Sequence, residues 1–169
     1  MQANPTLSKS REAGQYLTFV LGEEHYGVEI LQVQEIRGFT PVTPLPNSPV
    51  YVRGVINLRG TIVPVVDLRL KLGLAERAYD RFTVVVVTTV GTKVVGLIVD
   101  AVSDVMTFEE NSIQPAPILG DGQRSPIAQG IARLEDRLVV LLDLVRVLDN
   151  GTFGLEKDTA AVVTAGVGT

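Results

Sequence analysis

The chain lacks the groups on which most small enzymes and metalloproteins depend. It has no cysteine, which excludes disulfides and thiolate metal sites. Its one histidine, His25, lies beside a predicted turn without a serine or cysteine motif, so we interpret it as a solvated turn residue. The sequence contains no D-x-D-x-D-G loop, no G-x-G-x-x-G and no G-x-x-x-x-G-K-[ST]. We therefore expect no catalytic residues, no metal site and no cofactor.

The chain also lacks the features of nucleic-acid-binding and membrane-inserted proteins. There are 15 basic and 19 acidic residues, and aromatic residues make up only 5%, whereas a nucleic-acid groove is basic and carries stacking aromatics. Residues 1–14 lack the apolar segment of a signal peptide. The most apolar region, residues 82–99, is interrupted at Thr88, Thr89 and Gly91, short of the roughly 20 residues of a membrane span. We expect a cytoplasmic protein that binds no nucleic acid and does not insert directly into a membrane.

What the sequence does contain is a series of short β-prone segments separated by turn residues. A chain of 169 residues suffices for one ordinary domain or for two very small ones that share a core. The pattern predicts hairpins at residues 16–30, 54–68, 82–99 and 127–142. It predicts short helical turns at residues 31–36, 67–72, 102–106 and 143–148. Short strands at regular spacing indicate a mainly-β barrel or sandwich.

Two sequence motifs occur twice, in the same order. Residues 54–68 and 130–144 both fit G-[VI]-x-x-L-x-x-x-[IL]-V-x-[VL]-[VL]-D-L. Residues 27–36 and 96–105 both fit G-[VL]-x-[IV]-x-x-V-x-[ED]-[IV]. The repeat predicts two similar β-barrels of about five strands each, and neither is large enough to be stable by a wide margin alone. We expect them to pack on each other and to leave a groove between them.

The repeat suggests a division of the chain into four segments. Residues 1–14 and 150–169 are predicted to be a flexible N-terminus and a flexible tail. Residues 15–77 are predicted to form the first barrel and residues 78–149 the second barrel with a C-terminal helix. This boundary is approximate, since the N-terminal strand could be shared with the second barrel.

Arg59, in the turn of the first long motif, is either a solvated residue or a charge fixed against a partner. Glu35 lies at the matching edge of the same half, so we predict an ion pair between the two side chains. The corresponding residues of the second half are Asp104 and Glu135, which cannot pair in this way. An exposed pair stabilises a protein by only ~0–1 kcal/mol, whereas breaking a buried one costs ~3–5 kcal/mol.

Three stretches carry a resemblance to a known family. They closely resemble the CheW family of bacterial chemotaxis coupling proteins, over about residues 15–149. The stretches are V-Q-E-I-R-G at 33–38, G-V-I-N-L-R-G-T-I-V-P-V-V-D-L-R at 54–69 and V-V-G-L-I-V-D-A-V-S-D-V at 94–105. The resemblance implies a non-catalytic adaptor of two SH3-like barrels that bridges chemoreceptor tips to the regulatory domain of the histidine kinase CheA.

The resemblance also implies two sets of contact residues. Positions matching the family's receptor-binding groove are Val33, Glu35, Ile36, Gly54, Arg59, Gly96 and Val105. Candidates for the kinase interface are Gly38 and Phe39 in one turn and Gly60 and Ile62 in the hairpin.

The residues themselves leave alternatives open at five of these positions. Gly54 and Gly96 either allow close approach of a partner or are strand-bend glycines. Val33, Ile36 and Val105 either line the groove or belong to the core. The rival functions are the same adaptor in a non-flagellar chemosensory pathway, or a small ligand-binding or enzymatic β-barrel.

Overall fold

The structure, a computed structural model, describes residues 13–148 and is mainly β, as predicted. The predicted flexible N-terminus falls on residues outside this range, except that Ala13 and Gly14 begin the first strand. The predicted tail lies wholly outside it. The described strands are β1 Ala13–Leu21, β2 Glu24–Glu29, β3 Val33–Gly38, β4 Val52–Leu58, β5 Thr61–Asp67, β6 Val84–Val90, β7 Lys93–Val99, β8 Ala101–Glu109, β9 Ile113–Gln114, β10 Ala128–Leu134 and β11 Arg137–Leu142. The α-helices are α1 Leu68–Lys71 and α2 Leu144–Leu148, and 3-10 turns span Ile30–Gln32 and Glu110–Ser112.

The strands form two sheets, and each bends round toward closure. One sheet has the order β3-β6-β7-β5-β4, and the other has the order β9-β10-β11-β2-β1-β8. In the first, the chain after β3 returns so that Thr43 exchanges backbone hydrogen bonds of 2.9 and 2.8 Å with Val55 of β4. In the second, β9 follows β8 after one 3-10 turn and pairs with β10 at the opposite edge. These connections make two small SH3-like barrels and confirm the predicted fold class.

Each barrel takes strands from both halves of the sequence. We call the barrel of β3 to β7 the central barrel (residues 33–99) and the other the terminal barrel (residues 13–29 and 101–142). The predicted division into barrels of residues 15–77 and 78–149 therefore does not match the sheets. The reason is a reciprocal exchange: β5 pairs in parallel with β7, and β11 pairs in parallel with β2, so each long motif joins the short motif of the other half.

Two segments predicted to be helical are strands. Residues 31–36 contribute one 3-10 turn and then enter β3, where Glu35 pairs with Val87 and Ile36 with Val86. Residues 102–106 lie in β8, paired with β1. Both predictions rested on spacings too short to distinguish a helical turn from a strand, and β-branched valines and isoleucines fit a sheet better. The predicted hairpins and the two capped helices are confirmed.

Within residues 13–148, three apolar clusters hold the barrels together. One cluster, around Leu58, Val63 and Val87, fills the central barrel. A second, around Tyr16, Phe108 and Leu141, fills the terminal barrel. The largest draws on both barrels and on both helices; its members include Leu17, Phe19, Val66, Leu97, Leu142 and Leu144. Because this third core is shared, separating the barrels would expose buried apolar surface on each.

The repeated unit is built with the same local devices in both barrels. A register shift lies at Val52/Gly54 in the central barrel and at Ala128/Gly130 in the terminal one. Each unit then ends in an aspartate ahead of a short helix. The Asp67 side chain accepts hydrogen bonds from the Arg69 and Leu70 amides, as an N-cap does.

Candidate functional site

The candidate site lies at one mouth of the central barrel, where the β4–β5 turn meets β3. Arg59 and Gly60 form the turn with φ of +50° and +92°, as a type I′ hairpin requires. The Asn57 side chain accepts a hydrogen bond of 2.7 Å from the Gly60 amide and fixes the turn. Among the described residues, Arg59 is one of three non-glycine residues with a positive φ, together with Asn47 and Glu135.

Glu35 on β3 receives that guanidinium. Arg59 Nη1 lies 3.2 Å from Glu35 Oε1 and 3.5 Å from Oε2. Arg37, two residues along the same strand, approaches the Glu35 carboxylate to 3.8 Å from the outer side. The ion pair predicted between Glu35 and Arg59 is thus present, and Glu35 is shared by two guanidinium groups.

The exposure of the Glu35–Arg59 pair shows whether it stabilises the fold as a surface ion pair or as a buried one. The Arg59 side chain is 69% exposed and that of Glu35 is 28% exposed. At such exposure water screens the attraction, so the pair stabilises the fold by at most about 1 kcal/mol. The pair therefore orients Arg59 at the surface and contributes little to stability.

A cavity of about 260 Å³ opens beside this pair. Its wall joins the end of the β4–β5 hairpin to β3 and β7. It is lined by Gln34, Leu58, Arg59, Thr61, Val63 and Val94. Leu58 and Val63 belong to the barrel core, so the cavity has an apolar floor and a cationic rim.

The terminal barrel has a corresponding mouth with different charges. Its cavity has a volume of about 360 Å³. Six of its lining residues occupy positions that the repeat makes equivalent to the lining of the central mouth: Ser103, Leu134, Glu135, Arg137, Val139 and His25. Asp104 lines it as well, so two acids stand where the central barrel has the Glu35–Arg59 pair. Burial, and then the nearby Arg137 guanidinium, lower the pKa of His25 below its ordinary value. This favours the neutral imidazole at the mouth.

The three predicted apolar contact residues differ in accessibility. Val33 is half-buried and packs against the shared core. Ile36 is 44% exposed on β3 and Val105 is 46% exposed on β8. The repeat places Ile36 and Val105 at equivalent positions, one on each barrel. Ile36 and Val105 are therefore open to a partner, whereas Val33 also has a core role.

The two predicted contact glycines are both buried by their own chain. A Cβ on Gly54 would lie 2.2 Å from the Thr43 carbonyl oxygen, and Gly54 has φ +149°. A Cβ on Gly96 would lie 2.8 Å from Val85 Cγ1. Close approach is thus required at both positions, but it is by neighbouring strands. The structure supports the packing alternative and not a direct receptor contact at these glycines.

The four candidate kinase contacts are not equivalent either. Gly38 and Gly60 are exposed, and Ile62 on β5 is 62% exposed. Phe39 instead packs against the central core and against the ring of Tyr79, with a centroid separation of 4.5 Å. Ile62 has an exposed counterpart, Leu138, on the terminal barrel.

Reasoning from the sequence missed a polar group under the central barrel. The Asp67 carboxylate is 1% exposed, caps α1 and accepts a hydrogen bond of 2.7 Å from the Tyr79 hydroxyl. Burial and this hydrogen bond raise the pKa of Tyr79 well above its usual range. The D-L ending of the motif marked the cap, but no local signal pointed to Tyr79 in the connector that follows.

The described part of the chain holds neither a metal cluster nor a helix that could span a membrane. Between residues 13 and 148 no group of three or more histidine, cysteine or acidic side chains could hold a metal ion. None of the helices within that range is long and apolar enough to cross a membrane.

These features define a small two-barrel protein whose surfaces are those of a protein-binding module. Two small barrels are fused over a shared core, with shallow mouths, exposed apolar residues on equivalent strands and an oriented surface guanidinium. Such surfaces suit the binding of other proteins.

Comparison with known proteins places the chain within that class. A model of the CheW-like domain family matches residues 15–151. The chain is 41% identical over 146 residues to the chemotaxis protein CheW of Klebsiella aerogenes, covering 86% of this chain and 88% of that protein. It is 44% identical over 129 residues to the chemotaxis protein CheW of Rhizobium meliloti, covering 76% and 83%. It is 30% identical over 114 residues to Protein FrzA of Myxococcus xanthus, covering 68% and 71%.

A solved structure gives the same result at the level of the fold. The crystal structure of the scaffolding protein TtCheW from Thermoanaerobacter tengcongensis superposes with a TM-score of 0.76 at 31% identity. The match covers 83% of this chain and 95% of that one. The chain belongs to the CheW family of chemotaxis proteins.

Proposed function

We propose that this chain is a non-catalytic chemotaxis adaptor that binds chemoreceptor tips and the regulatory domain of the histidine kinase CheA. The observation that carries the proposal is the asymmetry of the two barrel mouths. Of the two mouths, and within residues 13–148, only the central one presents a guanidinium oriented by a carboxylate, in a segment that matches the family. The adaptor acts in the cytoplasm and is recruited to membrane-anchored receptor arrays.

The receptor site combines the central mouth with apolar surface from both barrels. Ile36 and Val105 offer exposed side chains to the apolar face of a helical hairpin, at about 25 cal/mol for each Å² that it buries. Arg59, oriented by Glu35, selects for acidic or carbonyl groups on that hairpin. Three of the predicted contact residues support the site indirectly, because they pack inside the barrel and keep the strands with the exposed groups in place: Val33, Gly54 and Gly96.

The kinase site uses the outer face of the central barrel. Ile62 supplies exposed apolar surface, and Gly38 and Gly60 leave the backbone beside it open. Phe39 supports this face through its contact with Tyr79. An apolar side chain beside exposed backbone suits end-on contact with the regulatory domain of the kinase.

A second candidate is the same adaptor in a non-flagellar chemosensory pathway. It is favoured by the similarity to Protein FrzA, a relative that does not carry the CheW name. The two candidates share the fold and the sites and differ in the receptors that are bound. Titration with receptor-tip fragments of both kinds of pathway distinguishes them.

The test of the proposal is a pair of titrations with the purified chain. We expect saturable binding both to a receptor-tip fragment and to the CheA regulatory domain. Val105→Asp should weaken receptor binding and leave kinase binding intact, because Val105 lies on the terminal barrel and is 46% exposed. Ile62→Asp should do the reverse. Binding to neither partner, together with turnover or a retained small molecule, would favour the ligand-binding barrel instead.

A further inference from the structure

The chain passes from the central to the terminal barrel at Asp100, the residue between β7 and β8. Its backbone amide donates to the Val20 carbonyl at 3.2 Å. Its carboxylate oxygen Oδ2 accepts three hydrogen bonds: 2.6 Å from the Gly22 amide, 2.7 Å from Arg69 Nη1 and 2.8 Å from Arg77 Nη1. With its side chain 13% exposed, Asp100 is the convergence point of a largely buried charge cluster.

The three donors come from different parts of the fold. Gly22 lies in the β1–β2 turn of the terminal barrel, Arg69 lies on α1 directly after β5 of the central barrel, and Arg77 lies in the connector to β6. Arg69 is 14% exposed and is held a second time, since its Nε donates to the Ala75 carbonyl at 2.9 Å. Asp100 therefore links the two barrels through charge-assisted hydrogen bonds, which are about twice as strong as neutral ones.

Among residues 13–148, the other crossing between the barrels, at residues 30–32, has no such link. There the repeat places Leu31 where Asp100 stands, Val145 where Arg69 stands and Gly91 where Gly22 stands. Leu31 is 93% exposed and Val145 is 39% exposed. Apolar side chains cannot replace the ion pairs, and nothing lies within 4 Å of a Cβ built on Gly91. Ion pairs therefore hold the crossing at Asp100, whereas the equivalent described residues at the crossing near Leu31 are apolar.

We infer that Asp100 is a positioning residue that fixes the orientation of the central barrel relative to the terminal barrel. On the proposed function, on which this consequence rests, that orientation sets the groove between Ile36 of one barrel and Val105 of the other. The shared apolar core holds the barrels together, and the hydrophobic driving force behind it is itself non-directional. The Asp100 cluster supplies the directional contacts.

The test measures distances between spin labels, which the absence of native cysteine makes straightforward. A variant labelled at Thr92→Cys and Asp136→Cys gives the distance between the central and the terminal barrel. A variant labelled at Thr92→Cys and Thr61→Cys gives a distance within the central barrel. In Asp100→Asn we expect the distances across the barrels to shift and broaden, with those within the central barrel unchanged. Arg77→Gln, which removes only the more exposed donor, should give a smaller change of the same kind. Asp143→Asn is the matched control, because it alters the exposed Asp143–Arg146 ion pair at the start of α2. It should change neither the distances across the barrels nor those within the central barrel.

Unchanged distances across the barrels in Asp100→Asn would overturn the inference, as would equal broadening within the central barrel. Receptor-tip titration of the same variants adds the functional result: a loss of roughly tenfold in affinity is expected, because a groove that is not preorganised binds more weakly. Wild-type affinity despite altered distances would contradict the consequence for the groove and leave the positioning role of Asp100 standing. If the wild-type chain fails to bind the receptor tip, the proposed function fails, and the label distances still decide the role of Asp100.

Discussion

The two barrel mouths have the same backbone and different chemistry. Both carry a hairpin whose first turn residue has a positive φ, +50° at Arg59 and +58° at Glu135. In the central mouth the turn residue is a cation held by Glu35, whereas in the terminal mouth it is an acid that lines the same cavity as Asp104. Because both side chains tolerate the same backbone, the turn geometry does not require an arginine at residue 59. The charge is therefore a feature of the surface and not of the fold.

The comparison separates what each copy needs to fold from what each is free to present. The buried glycines, the register shifts and the capping aspartates occur in both copies, where they close a barrel and start a helix. Arg59 and Asp100 have counterparts without their charge, Glu135 and Leu31, whereas the acid at Glu35 recurs as Asp104. The predictions below test this separation, from the largest expected effect to the smallest.

Gly54→Ala should have the largest effect on stability. The new Cβ would lie 2.2 Å from the Thr43 carbonyl oxygen at a residue with φ +149°, so we expect a loss of about 4 kcal/mol or more in the free energy of unfolding. In Gly130→Ala the nearest atom is a side-chain methyl at 2.8 Å, so the loss should be about 1–3 kcal/mol. Urea denaturation compares the two. Equal losses would contradict the closer backbone approach at Gly54.

Asp67→Ala should cost about 2–4 kcal/mol of unfolding free energy. It removes the cap of α1 and leaves the half-buried Tyr79 hydroxyl without its acceptor. Asp143→Ala removes only the more exposed cap of α2, where the Arg146 amide donates at 3.3 Å, and should cost about 1 kcal/mol. Thermal unfolding of both variants gives the ranking. The reverse order would contradict the greater burial of Asp67.

Tyr79→Phe should change how stability depends on alkaline pH. Burial and the hydrogen bond to Asp67 raise the pKa of Tyr79 above its ordinary value of 10.0, so the folded state holds the proton more tightly than the unfolded state. This contribution is complete below about pH 10 and is lost as the pH rises through the folded pKa. At neutral pH the variant should lose about 1 kcal/mol. Above pH 10 it should lose stability less steeply than the wild type, as followed by urea denaturation at a series of pH values.

Glu135→Arg should have the smallest effect on stability. It places a guanidinium in the cavity that Asp104 also lines, at the position that Arg59 holds in the central barrel. The new pair is exposed, so the unfolding free energy should rise by only about 0–1 kcal/mol. A double-mutant cycle with Asp104→Ala isolates the pair. A destabilised variant would show that the terminal mouth cannot accept the geometry found at Arg59.

Part of this structure could be predicted from the sequence, because part of it is local. The hairpins, the capping aspartates and the contact between Arg59 and Glu35 follow from turn chemistry, alternation and the repeat. The exchange of strands between the halves does not, since nothing local in β5 specifies β7 as its parallel partner. Asp100 was missed for the same reason: its donors lie up to 78 residues away along the chain. The burial of Gly54 and Gly96 also depends on strands that are distant in sequence.

The most direct test of the proposed adaptor site is calorimetric titration of one receptor-tip fragment into three forms of the chain: wild type, Arg59→Ala and Glu135→Ala. Both variants remove a charged side chain from an exposed turn with a positive φ, so any strain they introduce is matched. We expect Arg59→Ala to weaken binding by about tenfold or more, with a melting temperature close to that of the wild type. Glu135→Ala should bind like the wild type. Equal affinities in all three forms would contradict a receptor site at the central mouth.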